Sequence, residues 1–207
     1  MTTFADISRI LADHQPSIVE ETTHTRAAVA LVIRRGENGL EALFMERASR
    51  DDDPWSGNIA LPGGKVEEED GSPQQTAERE TLEETGLDLS ASAYLGRLSD
   101  IVGAHLPVQV SCFVYGVTNV PGFVINHEVG DLFWVPLSDL LNPERQVMAP
   151  VQFGGESFIR PAILLPQPGK PLLWGITYRL VMDFLRIFLK IFKEVGADDY
   201  STSLDEN

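Results

Sequence analysis

One stretch of this sequence leaves little freedom in how it folds: residues 72–86, Ser-Pro-Gln-Gln-Thr-Ala-Glu-Arg-Glu-Thr-Leu-Glu-Glu-Thr-Gly. Ser72 suits an N-cap, Pro73 carries the fixed φ of a first helical residue, and Gln75 stands where a capping box places its reciprocal partner. Gly86 can take the left-handed conformation that ends a helix. The spacing therefore predicts a helix over 73–85. On it Glu80, Glu83 and Glu84 stand at i, i+3 and i+4, so their carboxylates are expected to converge on one patch about a turn long.

A solvated acidic face usually places Lys or Arg four residues after Glu, whereas here Glu84 follows Glu80 and Asp88 follows Glu84. Each such like-charge pair costs a helix roughly 0.2–0.5 kcal/mol unless a counter-ion sits there. Mg²⁺ is the natural one, since it takes carboxylate, water and phosphate oxygens together. Spacing alone leaves two readings open, a metal site and a solvated face. Gly63 and Gly64, in the loop before the helix, add weight to the first, because without a Cβ their backbone carbonyls can approach the cluster closely. Arg79 is expected to pair with a neighbouring carboxylate and fix its rotamer.

The rest of the chain reads as one domain, residues 26–195, between an N-terminal helical extension over 1–25 and an acidic flexible tail over 196–207. Phe4, Ile7, Ile10 and Leu11 recur at helical spacing in the extension. Residues 27–33 and 43–45 flank Gly36-Glu37-Asn38-Gly39 and predict a hairpin. Strands are expected over 93–102, 108–118 and 128–135, a helical turn over 137–141, a further strand pair over 145–153 and 158–164, and a long helix over 175–195. Helices before, within and after the strands make this an α/β chain, a mixed sheet with helices on its faces.

The formal net charge is −15, from 31 acidic and 16 basic residues, which disfavours nucleic acid and anionic membranes as partners. Arg179, Asp183, Arg186, Lys190 and Lys193 give the apolar last helix a charged stripe, so a membrane span is not expected. The start lacks the basic and apolar blocks of a secretory signal, and the lone Cys112 suits a reduced core thiol, so a cytoplasmic location is expected. A small anionic substrate would need a local basic lining, for which Arg47, Arg50, Lys65 and Arg97 are the candidates. Trp55 is a candidate for stacking on a base or packing over a core edge. Ile176, Leu180, Phe184, Ile187, Phe188, Ile191 and Phe192 offer a broad apolar face, buried within the chain or covered by a homodimer contact.

The stretch from Gly63-Gly64-Lys65 through Asp70 to Arg79-Glu80-Thr81-Leu82-Glu83-Glu84-Thr85-Gly86-Leu87 resembles the box of the Nudix hydrolases, G-x5-E-x7-R-E-U-x-E-E-x-G-U with U a bulky aliphatic. It departs in carrying Asp70 for Glu, Thr81 for the aliphatic, and eight residues rather than seven between Asp70 and Arg79. The longer spacing and the acidic Asp70 are similar to the coenzyme A pyrophosphatase branch, as are Leu43-Phe44-Met45-Glu46-Arg47 and Gly57-Asn58-Ile59-Ala60-Leu61-Pro62-Gly63-Gly64. Likeness continues through Glu128-Val129, Phe133-Trp134-Val135-Pro136-Leu137 and Trp174-Gly175-Ile176-Thr177.

The resemblance implies a Nudix-type α/β/α sandwich with a mixed sheet and a catalytic loop-helix-loop. It implies Mg²⁺, with Mn²⁺ able to substitute, held by Glu80, Glu83, Glu84 and the Gly63 carbonyl. Glu83, Glu84 and Arg79 form the expected catalytic set, with Glu83 or Glu84 as base and Glu128 as the alternative. The implied reaction is hydrolysis of a diphosphate linkage in a nucleoside diphosphate-X compound, with coenzyme A or its thioesters, ADP-ribose or nucleotide sugars as substrates. A Nudix-like module that binds a nucleotide without cleaving it is the competing expectation, and such a module should lack part of the carboxylate cluster.

Overall fold

The turn at Gly36 to Gly39 sets the centre of the sheet: strand β1 (Thr25–Gly36) returns as β2 (Gly39–Arg47), with Gly36 facing Gly39 in the last pair. The computed structural model describes residues 2–20, 23–50, 55–103, 107–120, 122–153 and 155–191. On its other edge β1 runs parallel to β7 (Val108–Val117), paired from Thr25 with Val108 to Arg34 with Val117. Beyond these, β5 (Ala93–Arg97) lies antiparallel to β7, and β8 (Val129–Pro136) antiparallel to β2. Three short strands, β3 (Ile59–Ala60), β4 (Gly63–Lys65) and β6 (Ile101–Val102), complete a mixed sheet of eight.

The sheet splits along one edge of β1, which pairs with β2 near its end and with β4 over Ala27 to Val29. That split carries the Gly63–Gly64 loop into the middle of the domain.

Because successive side chains of a strand point to opposite faces, β1 feeds two cores. Leu31 and Ile33 join one that includes helix α1 (Phe4–Asp13) and helix α4 (Gly175–Phe188); Ala28, Ala30 and Val32 join another with Ala77 of helix α2 (Pro73–Thr85) and with Leu87 and Leu89. The result is the expected α/β/α arrangement. In the first helix Ile7, Ile10 and Leu11 are buried, and Thr3 with Asp6 forms a capping box at its start.

Other departures have local causes. The strand expected over 93–102 breaks after Arg97, where Asp100 turns inward and accepts from Arg97, Ser111 and Gln109. The pair expected over 145–153 and 158–164 forms as β9 (Gln146–Phe153) and β10 (Glu156–Ile163), but joins β11 (Leu173–Trp174) in a separate three-stranded sheet. Helix α3 (Leu137–Leu141) follows Pro136 as expected. In α4 and just beyond it, Leu180, Phe184, Ile187, Phe188 and Ile191 are buried by the chain itself. Phe192, the end of the expected helix and the acidic tail lie outside the described residues. No described helix is long and apolar enough to cross a membrane.

Candidate active site

Helix α2 begins and ends where its caps dictate. Ser72 Oγ accepts the Gln75 N–H at 3.3 Å, and Gly86, at φ 73°, donates its N–H to Leu82 at 2.8 Å. The face turned to the sheet is built of Thr76, Ala77, Thr81 and Thr85 rather than large aliphatics. Buried hydroxyls need partners, and the Thr81 and Thr85 hydroxyls each donate to the carbonyl four residues back at 2.6 Å. Thr81 is thereby accommodated where the motif usually has an aliphatic.

This seating drives Glu84 inward. Its side chain is buried, and Oε2 accepts the Gly63 N–H at 2.8 Å. Burial pushes the Glu84 carboxyl up to about 8, against the opposing pull of the Gly63 N–H; Glu80 and Glu128 raise it further and Arg47 lowers it. Glu80 is also raised, chiefly by burial and against its Arg79 partner. Its carboxylate lies over Gly64, so closely that a Cβ there would stand 2.5 Å from the Glu80 Cδ. Glu128, in the turn before β8, adds a third negative charge felt by both.

Glu83 does not join them. Its side chain is 53% exposed and meets Arg79 Nη1 at 3.3 Å. Consecutive residues step about 100° around a helix axis, so once Glu84 points at the loop Glu83 points away from it. The single three-carboxylate patch expected from the spacing is therefore an inner pair, Glu80 and Glu84, with Glu83 at the rim. Among the described residues no three acidic, His or Cys side chains are gathered closely enough to hold a metal ion as they stand.

Arg79 is the hub of the outer layer. It donates through Nε and Nη2 to the two oxygens of Asp70, both at 3.0 Å, and through Nη1 to Glu80 at 3.0 Å. Asp70 is held in turn by the Thr76 hydroxyl at 2.8 Å and the Glu67 N–H at 3.0 Å. Eight intervening residues thus still let Asp70 grip Arg79 with both oxygens.

The Arg79 guanidinium, first among several donors, holds the Asp70 carboxyl well below its ordinary 3.8. A depressed folded pKa contributes stability that is complete above the unfolded value and is lost as pH falls toward the folded one. Asp70→Asn should therefore melt below wild type by a constant margin above about pH 5, and the margin should shrink as pH falls below about 4. Melting curves of both proteins between pH 3 and 7 check this; a margin that grows in acid would refute it.

The basic candidates separate. Arg47 and Lys65 line a cavity of about 360 Å³ that opens beside Gly63 and Gly64, with Trp55, Asn58 and Trp174 in its wall. Arg50 approaches Glu128 at 3.9 Å. Arg97 is turned away: its guanidinium donates to Asp100 at 2.6 Å and Ser111 at 3.1 Å, and it lines neither this cavity nor the carboxylate cluster. The i, i+3 spacing of Arg97 and Asp100 was the available signal for that pairing. Trp55 packs over aromatics, its ring centroid 4.6 Å from Phe153 and 6.4 Å from Trp174. Trp174 was not anticipated as a wall residue; its indole N–H donates to Asn58 at 3.1 Å.

A family model described as the NUDIX domain matches residues 24–153, which hold β1 through β9, the carboxylate cluster and the basic candidates; Trp174 lies beyond it. The chain belongs to the Nudix family. The Nudix hydrolase NudL of Yersinia enterocolitica, itself uncharacterised, is 29% identical over 177 residues, covering 84% of this chain and 87% of that one. An uncharacterised protein of Schizosaccharomyces pombe is 33% identical over 162 residues, 67% of this chain and 49% of that one. Nudix hydrolase 15, mitochondrial, of Arabidopsis thaliana is 28% identical over 155 residues, 73% and 54%. The chain thus spans about half the length of the last two. Among solved structures, a MutT/nudix family protein from Enterococcus faecalis aligns over 96% of this chain and 83% of its own with a TM-score of 0.52 at 15% identity, a likeness of Nudix fold.

Proposed function

We propose that this Nudix chain hydrolyses the diphosphate linkage of a nucleoside diphosphate joined to a second moiety, with Mg²⁺ as cofactor and Mn²⁺ able to replace it. One observation carries the reading: two inward carboxylates, Glu80 and Glu84, crowd against a Gly63–Gly64 loop that borders a cavity with Arg47 and Lys65. Like charges held together out of water are unfavourable unless a cation or proton offsets them. The donor set is all oxygen, and Gly64, lacking a Cβ, lets the Glu80 carboxylate lie against the loop, so the residues fit a hard divalent cation.

Glu80, Glu83, Glu84 and the Gly63 carbonyl are the groups that would hold it. Bound there, a divalent ion offsets phosphate charge and acidifies a water molecule. The chain's own groups then divide the remaining work. Arg47 and Lys65 receive the phosphates, Arg79 and Asp70 keep Glu80 placed, and Glu83 or Glu84 takes the proton of the attacking water, with Glu128 as the other candidate base. An intact set of Glu80, Glu83, Glu84 and Arg79 favours hydrolysis over binding alone.

The finer substrate assignment, coenzyme A or its thioesters, is supported by the sequence around Pro62-Gly63-Gly64 and Asp70; ADP-ribose and nucleotide sugars share the cleavable unit. Cytoplasmic residence belongs to the same proposal, supported by Cys112, a core thiol pushed up by burial. A panel of these compounds with Mg²⁺, read by mass spectrometry, should yield a nucleoside 5′-phosphate, which from coenzyme A keeps its 3′-phosphate as well, and a phosphorylated second product. No cleavage of any of them with Mg²⁺ or Mn²⁺ would overturn the proposal. The same ions should raise the melting temperature, by the equivalent of about 2.7 kcal/mol at a hundredfold excess over Kd. Melting indifferent to both ions would mean that the protein alone does not bind them.

A further inference from the structure

A second cavity, of about 340 Å³, adjoins the one beside the Gly63–Gly64 loop, and Trp55, Trp174, Gly175 and Ile176 belong to the walls of both. Its lining is largely apolar and aromatic: beyond the shared residues it is closed by Phe153, Phe158, Pro161 and Tyr178. Of the two cations at its edge, Arg160 lies over the Phe158 ring, 5.0 Å from its centroid, and donates through Nη1 to the Ile159 carbonyl at 3.1 Å, while Arg179 Nη1 donates to the Val102 carbonyl at 3.0 Å. The Trp174 indole N–H goes to Asn58.

From this annexe we infer that the enzyme selects diphosphates whose second moiety carries an apolar group, and that Phe158 and Tyr178 determine the selectivity. The inference rests on the diphosphate hydrolysis proposed above. Continuity is the first reason: a substrate with its diphosphate between Arg47 and Lys65 has the annexe within reach past the Trp55–Trp174 wall that both cavities share. Size is the second. An apolar cavity of about 150 Å³ holds benzene, so this one has room for about twice that volume of hydrocarbon. Chemistry is the third. A sugar placed there would lose the water bonded to each hydroxyl and gain few partners, which is unfavourable, whereas an alkyl or aryl group loses nothing. A nucleobase would stack on the rings but leave its polar edge short of partners, so the apolar moiety is the better occupant.

Two substrates that differ only in that moiety test the inference: ADP-glucose and the hexyl ester of ADP. A single methylene in a hydrophobic pocket discriminates by roughly tenfold or more, so tenfold is a modest floor for six carbons. Wild type should show kcat/KM at least tenfold higher for the hexyl ester. Phe158→Asp should lower that value at least tenfold while leaving ADP-glucose within twofold, and Phe158→Leu should keep the preference; circular dichroism confirms that each variant is folded. Equal rates on the two substrates in wild type, or an equal loss on both in Phe158→Asp as a nucleobase in the annexe would give, overturns the inference. If wild type cleaves neither compound, the hydrolase reading is decided by the panel above, and the annexe is judged by binding. Titration without divalent metal, read by the fluorescence of Trp55 and Trp174, should give a Kd at least tenfold lower for the hexyl ester, a gap lost in Phe158→Asp. Equal Kd values would overturn it there too.

Discussion

Glu84→Gln is expected to lose turnover by roughly two to three orders of magnitude or more, the equivalent of several kcal/mol of transition-state stabilisation by a metal site, while its melting temperature holds or rises. The divergence follows from where Glu84 sits. Burial has raised its carboxyl to about 8, so at neutral pH and without the metal ion the native state holds a proton that the unfolded chain, near 4.5, has released. That uptake opposes folding, and a neutral amide removes it. The amide oxygen can still accept the Gly63 N–H that Oε2 accepts now. A variant that loses turnover and melting temperature together would make Glu84 a structural group instead. Glu83→Gln is the matched comparison, at the other candidate base on the rim, where a side chain 53% exposed contributes little to the fold. Turnover retained there and lost at Glu84 would assign the chemistry to the inner pair.

Much of this site could be read from sequence because its signals are local. Ser72, Pro73 and Gly86 act on backbone within a residue or two of themselves, so the limits of α2 follow from them alone. The hairpin between β1 and β2 is fixed in the same way by Gly36 and Gly39. What stayed hidden depends on distant partners. That Glu84 turns inward and Glu83 outward is decided by the docking of Thr76, Ala77, Thr81 and Thr85 on the sheet, because a helix built of small polar residues has no apolar stripe to announce its buried face. Arg97 looked like a phosphate ligand and is instead sequestered with Asp100, Ser111 and Gln109, on strands whose pairing the sequence does not state. The separate sheet of β9, β10 and β11, and with it the annexe, was invisible for the same reason: strand periodicity marks a strand, not the sheet it joins.

Gly63→Ala and Gly64→Ala, one residue apart, should fail in different ways. At Gly63 the backbone has φ +149°, a region that side chains rarely occupy, and a Cβ would stand 2.5 Å from Val29 Cα and closer still to the Ala28 carbonyl oxygen. Both are backbone atoms of β1, which is fixed on its far edge by pairing with β7, so neither can move aside. The strain of the φ alone is about 1–3 kcal/mol, and the overlap adds to it. A total near 4 kcal/mol corresponds to a melting temperature lower by about 8–16 °C in a chain of this size. At Gly64 the φ is ordinary, and the first atoms a Cβ would meet are the carboxylate of Glu80, the end of a flexible side chain. Glu80 can swing away at little cost to the fold, and alanine also restricts the unfolded chain, a gain of about 0.4–1 kcal/mol. Gly64→Ala should accordingly melt at or above the wild-type temperature yet lose at least about tenfold in turnover, because Glu80 no longer lies over the loop. Differential scanning calorimetry beside a turnover assay separates the two variants. If Gly64→Ala keeps full turnover, Glu80 need not lie against that glycine for the chemistry; if it melts as low as Gly63→Ala, the missing Cβ at Gly64 serves the fold instead of the site.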